Sequence, residues 1–243
     1  MRVPRIHIDA TLHAGSEVTL PLQAGEHVAR VLRLPRGAPL ILFNGDGREY
    51  DARLAALAKR AVTAEILAVR EVDREAPLPL TLAQGIARGE KMDWILQKAT
   101  ELGVARIVPL VTERTEVRLD DDRADRRRAH WRSVIAAACE QCGRNRLPTV
   151  EAPQPLDRWL AGLAPGALRL ALLPDGEAAL RQLPQMENGA ILVVGPEGGL
   201  SAHDAALLRQ TGFRALRLGP RILRTETASL AALAALQALY GDW

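Results

Sequence analysis

Leu218-Gly219-Pro220-Arg221-Ile222-Leu223-Arg224-Thr225-Glu226-Thr227-Ala228, together with the earlier Gly195-Pro196-Glu197-Gly198-Gly199-Leu200-Ser201, decides how this chain of 243 residues is read. Each stretch follows a short apolar run and opens a helical pattern. Glycine tolerates positive φ and lets two backbones approach closely, whereas proline fixes φ and removes a donor. Two bends of this kind make a pocket of main-chain amides and carbonyls, which is a ligand site in outline. Ser201 and Asp204 have the spacing of a capping box, so a helix is predicted to start near Ala202. An ordinary strand-to-helix turn would account for the first loop equally well; the presence of both favours the ligand site. Neither has the spacing of a P-loop and no lysine follows the glycines, which argues against a nucleoside triphosphate.

Outward from these loops, apolar strands are predicted at residues 80–85, 107–111, 168–173, 190–194 and 215–218, with helices between and after them. Such alternation argues for an α/β domain whose mostly parallel sheet is covered by helices on both faces. In sheets of that kind ligands bind outside the carboxyl ends of the strands, where Gly195 and Gly219 fall. No GxGxxG follows the first strand, so the dinucleotide fingerprint is absent. Before residue 72 the pattern is different. Short β-type segments at 5–8, 17–20, 40–44, 49–54 and 62–69, broken by turns such as Asn44-Gly45-Asp46-Gly47, read as a small barrel with one helical stretch over 27–34. Asp73-Arg74-Glu75-Ala76-Pro77-Leu78-Pro79 separates the two patterns, placing domains at 1–72 and 73–243. The last helix, 227–240, is apolar around most of its circumference and is expected to be buried in the core or against a second subunit of a homodimer.

Hydrophobic residues make up 48% of the chain, enough for a sizeable core. No apolar stretch is long enough to cross a bilayer uninterrupted and Met1-Arg2-Val3-Pro4-Arg5 lacks the apolar centre of a signal peptide, so a cytoplasmic protein without membrane contact is expected. A formal net charge of +3 leans only mildly toward polyanions. Arginine outnumbers lysine, which stands only at 59, 91 and 98; guanidinium suits phosphate, yet a GC-rich genome produces the same bias. Cys139 and Cys142 have no second pair to complete a zinc site, so no metal is expected and no chemistry is assigned to them.

The chain resembles the RsmE family of small-subunit ribosomal RNA uracil-N3 methyltransferases, SPOUT-superfamily enzymes that use S-adenosylmethionine. The resemblance runs through Arg2 to Arg5, His27-Val28-Ala29-Arg30-Val31-Leu32-Arg33, Arg88 to Trp94, Gln97 to Val104, Glu140-Gln141-Cys142-Gly143-Arg144-Asn145-Arg146 and both glycine loops. It implies a PUA-like RNA-binding β-barrel at 1–72, a SPOUT domain at 73–243 whose chain threads a trefoil knot, and a homodimer in which each site borders the partner. It further implies that S-adenosylmethionine lies against Leu172, Leu173, Gly195, Pro196, Glu197, Gly198, Gly199, Leu218, Gly219, Ile222, Leu223, Arg224, Thr225, Thr227 and Ala228. One departure is Leu172-Leu173-Pro174, where a histidine can precede the proline in the family. The implied reaction is methylation of uridine 1498 near the 3′ end of 16S ribosomal RNA, in the 30S subunit, as a step of rRNA processing and ribosome biogenesis.

Because N3 lies on the Watson-Crick edge, the target base must be unpaired or extruded. Arg224 is the candidate catalytic residue, stabilising the anion that develops on uracil or fixing the base. Glu197 and Glu226 are the nearby carboxylates; either could accept a proton or simply support a helix start, and the general base is left unassigned. Aromatic residues amount to 3%, which disfavours extensive stacking. Phosphate contacts are therefore expected from Arg5, Arg30, Arg33, Arg88, Lys91, Arg144 and Arg146. The alternatives are a non-catalytic RNA-binding ribosome-assembly factor, or a methyltransferase with another target nucleotide or a small-molecule acceptor. A pure binder has no need of the whole 218–228 loop.

Overall fold

A computed structural model describes residues 3–58, 61–116 and 121–243. The chain divides into two units, Met1–Glu75 with Cys139–Leu147, and Ala76–Ala138 with Pro148–Trp243. Periodicity suggested a single break after residue 72; the return of 139–147 to the first unit is a matter of side-chain pairing that no periodicity encodes.

In the first unit β1 (Arg5–His7), β2 (Glu17–Thr19), β3 (Pro39–Phe43), β4 (Arg48–Leu57) and β5 (Val62–Glu71) form one sheet in the order β1-β3-β4-β5-β2. The β1–β3 pair is parallel and the others are antiparallel. Alternate residues along the strands, Leu40 and Leu42, Ala52 and Leu54, Ala64 and Ile66, point to one shared core. Register shifts at Asp51/Ala52 and Leu54/Ala56 increase the local twist and let the sheet curl around that core.

The predicted helix over 27–34 is corrected. Helix α1 (Leu22–Glu26) starts directly after Pro21, and the chain continues through one wider turn, His27–Val31, closed by the Leu32 amide on the His27 carbonyl at 2.9 Å. Pro21 presets the helix entry. Pro35 bars Leu34 from helical backbone, and Arg33 ends the turn in the left-handed region at φ 50°.

Charge ties 139–147 to this unit. Arg5 is buried and forms an ion pair with Glu49, whose other partners are Arg74 at 2.6 Å and Arg70 at 2.9 Å. Arg5 also donates to the Arg144 carbonyl at 3.1 Å and to Asn145 Oδ1 at 2.7 Å, with its guanidinium 4.9 Å from the centre of the Phe43 ring. Arg144, equally buried, donates to Glu75 at 2.9 Å. Burial works to raise the Glu49 carboxyl, but the surrounding arginines, Arg74 foremost, hold it below the ordinary carboxylate range. Its contribution to stability is therefore complete above the unfolded value of about 4.3 and is lost as pH falls through the depressed folded value. Glu49→Gln leaves Arg5 buried without its counter-charge, so we expect a loss of about 3–5 kcal/mol at neutral pH. Chemical unfolding of both proteins from neutral to acid pH checks this, with the difference between them shrinking as Glu49 protonates.

The second unit contains β6 (Leu80–Gly85), α2 (Glu90–Glu101), β7 (Arg106–Val111), α3 (Asp121–Cys142), β8 (Thr149–Val150), β9 (Gln154–Pro155), α4 (Leu156–Ala161), β10 (Leu168–Leu172), β11 (Ala190–Val194), α5 (Ala202–Gln210), β12 (Arg214–Leu216) and α6 (Thr225–Tyr240); the last turn of α3 belongs to the first unit. The strand order is β12-β10-β11-β6-β7-β8, with β9 also paired to β7, and every pairing is parallel. Helices cover both faces. Ile191 and Val193 face Leu156, Trp159, Leu208 and Phe213 from α4, α5 and the turn after α5, while α6 packs on β6, β11 and α2. The inner side of α6 is buried through Ser229, Leu233, Leu236 and Gln237, and its outer side leaves Leu239 44% exposed. No helix among the described residues is long and apolar enough to cross a membrane.

Candidate functional site

The strand order itself makes the site. Because β10 lies between β11 and β12, the chain leaves three adjacent parallel strands at Leu172, Val194 and Leu216, and the segments that follow converge. They enclose a cavity of about 670 Å³, within the range usual for small-molecule sites. Its walls are Leu172 to Pro174, Val194 to Leu200 and Leu216 to Glu226 with Ala228, and Lys91 and Arg114 stand at its edge.

The 195–199 bend is shaped by what it lacks. A Cβ on Gly195 would stand 2.7 Å from the carbonyl carbon of Gly199 and from the Leu200 amide nitrogen, and one on Gly85 would stand 2.5 Å from the Pro196 ring. The bend closes through the Gly199 amide on the Pro196 carbonyl at 2.8 Å, with Gly199 at φ 70°. Ser201 then caps α5: its side chain accepts from the Asp204 amide at 3.0 Å and Asp204 accepts from the Ser201 amide at 2.9 Å.

A buried polar knot fixes the second loop to the first. Thr225 Oγ1 donates to the Gly195 carbonyl at 2.6 Å, and Gln84 Nε2 donates to Thr225 Oγ1 at 2.9 Å and to the Gly85 carbonyl at 2.9 Å. Ser229 Oγ donates to Gln84 Oε1 at 2.5 Å. Gln84 was not among the predicted site residues. Its signal was there in principle, as the one amide in the apolar run Leu80 to Gly85, since a fully buried polar side chain needs partners.

Between these anchors, residues 218–223 form no hydrogen bond with any described residue. Gly219 to Ile222 are exposed, so these main-chain groups are open to solvent or to a ligand and not committed to the fold. Here they stand beside the apolar side chains of Leu172, Leu173, Val194, Leu216 and Leu223, an environment matched to a flat heteroaromatic base with polar edges.

Charges around the cavity are uneven. Burial tends to raise Glu197, but its own amide, the Arg88 amide at 3.1 Å and Lys91 Nζ at 3.2 Å hold it below the ordinary range, so it is an engaged carboxylate and a poor base. Glu226 is buried, lines the cavity and keeps Oε2 without a hydrogen-bond partner among the described residues. Arg114 donates to the Gly198 carbonyl at 2.9 Å. Arg224 stands at the N-cap of α6 with its backbone extended and its carbonyl accepting from the Ala228 amide at 2.8 Å; its side chain is exposed at the cavity.

Of the residues predicted to hold the cofactor, all but Thr227 line this one cavity; Thr227 is exposed on the first turn of α6. The predicted phosphate contacts separate. Arg5 and Arg144 are committed to carboxylates inside the first unit. Arg30, Arg33 and Arg146 are exposed there, Arg30 beside Glu26 at 3.1 Å and Arg146 with its guanidinium against Gly47. Arg88 pairs with Glu116 and Lys91 with Glu197. Cys139 is buried, which pushes its thiol up to about 12 and leaves it unreactive at neutral pH. No cluster among the described residues has the composition of a metal site.

Residues 74–237 match the family model of an RNA methyltransferase domain, and residues 23–67 match that of an RNA methyltransferase PUA domain. Ribosomal RNA small subunit methyltransferase E of Buchnera aphidicola is 32% identical over 99% of this chain and 98% of its own, and that of Bacillus subtilis is 32% identical over 86% and 85%. Among solved structures, the protein of the same name from Neisseria gonorrhoeae, bound to S-adenosylmethionine, is 38% identical with a TM-score of 0.92 over the whole of both chains. A Legionella pneumophila protein in complex with the bound cofactor SAM is 42% identical with a TM-score of 0.96, again over both whole chains. The chain thus belongs to the ribosomal RNA small subunit methyltransferase E family of RNA methyltransferases.

Proposed function

We propose that this protein methylates N3 of a uridine in 16S ribosomal RNA, uridine 1498 near the 3′ end, using S-adenosylmethionine and acting on the assembled 30S subunit. The observation that carries the reading is the 218–223 loop, which lines the cavity at three converging strand ends beside apolar side chains and whose main-chain groups form no hydrogen bond with any described residue. These residues fit the donor: apolar walls take the adenine faces and loop amides and carbonyls take its edges. Bound there, S-adenosylmethionine supplies a methyl group already activated on a sulfonium. What the protein adds is alignment, which can account for much of a rate enhancement. The Gln84–Thr225–Gly195 knot keeps the two bends in fixed register, and Arg224 places a permanent positive charge where negative charge grows on the uracil.

The same reading takes the first unit as an RNA-binding module, with Arg30, Arg33 and Arg146 on its surface, and places the enzyme in the cytoplasm. It also includes a trefoil-knotted chain in the second unit and a homodimer. Leu239 and Trp243, 44% and 64% exposed at the C-terminal end, support the dimer. Mass mapping of ribosomal RNA from a deletion strain tests the function. We expect one methylated uridine of 16S RNA to become unmodified and to return on complementation; an unchanged modification pattern refutes the proposal. Calorimetry with S-adenosylmethionine separates an enzyme from an assembly factor that only binds RNA, since the latter takes up no donor.

A further inference from the structure

The loop that walls the cavity also carries Arg217, Arg221 and Arg224, all exposed and all lining the cavity. None of the three guanidinium groups forms an ion pair or hydrogen bond with any described residue. The contrast with other cations near the site is clear, because Lys91 and Arg88 have carboxylate partners and Arg114 has a carbonyl. Between Arg221 and Arg224 stands Ile222, a large apolar side chain 90% exposed. The main chain behind this rim is anchored, with the Arg217 amide on the Ala178 carbonyl at 3.2 Å and Thr225 in the buried knot.

The proposed cofactor does not account for these charges. At neutral pH S-adenosylmethionine carries a sulfonium, an ammonium and one carboxylate, so it is a net cation without phosphate. Three unpaired guanidinium groups around its pocket repel it more than they hold it. They call for an anionic second ligand at the mouth of the same cavity, and guanidinium is the side chain suited to phosphate oxygens.

We propose that Arg217 and Arg221 bind the phosphates flanking the target nucleotide of a single-stranded RNA segment, with Ile222 in apolar contact with a neighbouring unstacked base. This rests on the reading of the cavity as a methyl-donor site and adds the surface by which the second unit itself grips RNA. The phosphates set the register of the strand, and Arg224 from the same loop then meets the base presented between them. Phosphate contacts of this kind carry little sequence information but a strong salt dependence.

The test uses the full chain and a fluorescein-labelled, uridine-rich single-stranded RNA, with anisotropy measured from about 50 to 200 mM salt. For the Arg217→Ala/Arg221→Ala double variant we expect the slope of log affinity against log salt to fall by about 1.4, two phosphates' worth for single strands, and binding near physiological salt to weaken by about 10-fold. Arg217→Lys/Arg221→Lys should restore most of the slope. S-adenosylmethionine affinity by calorimetry should stay within about twofold of the wild type. Unchanged RNA affinity and slope overturn the proposal. So does a loss of donor affinity matching the loss of RNA binding, which would assign the arginines to the cofactor. Altered sedimentation with unaltered RNA binding would assign them to a contact between copies of the chain and likewise overturn it. Failure of the wild-type protein to take up donor at all would instead refute the functional reading beneath it, so the two failures are told apart.

Discussion

Gly195→Ala is expected to abolish useful donor binding, weakening it by about 100-fold, nearly 3 kcal/mol. The added methyl meets the backbone of Gly199 and Leu200 at 2.7 Å, a separation that real Cβ atoms do not tolerate, and backbone on both sides has nowhere to retreat. The Gly195 carbonyl would move with it, and that carbonyl holds Thr225 and so the entry to α6. One substitution therefore displaces both walls of the cavity. Gly219→Ala makes the informative comparison. Gly219 has φ 74°, so a side chain there costs about 1–2 kcal/mol of backbone strain, but beyond its two chain neighbours no atom of a described residue lies within 4 Å of its would-be Cβ. Its effect on binding should be clearly smaller. Calorimetry with S-adenosylmethionine, alongside thermal unfolding to confirm that each variant folds, distinguishes the two. Wild-type affinity in Gly195→Ala would mean that the 195–199 bend is not part of the donor site.

Arg224→Ala should leave donor affinity within about threefold of the wild type, under 1 kcal/mol, because its side chain makes no hydrogen bond or ion pair with any described residue that would hold the loop in place. Methyl transfer should slow by about 100- to 1,000-fold, the usual cost of deleting one donor aimed at a developing oxyanion. Arg224→Lys keeps the charge but not the fork of donors, so only partial recovery is expected. Single-turnover transfer from labelled donor to 30S subunits reads this directly. Turnover unaltered in Arg224→Ala would remove the residue from the chemistry and leave it as an exposed helix cap.

How much of this was legible in the sequence depended on whether the cause was local. The strands at 80–85 and 190–194 and the start of α5 at Ala202 agree with the structure residue for residue, because apolar runs, glycines and a Ser201–Asp204 capping box act within a few positions. The wide turn at His27–Val31 was missed, although Pro21 and Pro35 bracket it, because an amphipathic pattern looks the same for either helix type. The short β8 and β9 have too few residues to show any period. Strand order was not legible at all, and it is strand order that brings Leu172, Gly195 and Gly219 to one cavity. The same limit explains the arginines. Arg5 and Arg144 look like surface cations in the chain, yet they pair with Glu49 and Glu75, which stand 44 and 69 residues away in sequence.

That charge network has a further consequence. The N-terminal module cannot be excised with a single cut: a fragment ending at Glu75 would retain Glu49 and Arg5 but lose Asn145 and the Arg144 carbonyl, to which the guanidinium donates. Any transplant of this module onto another catalytic body must carry nine distant residues with it, so recombination during descent would tend to pass the two halves on together.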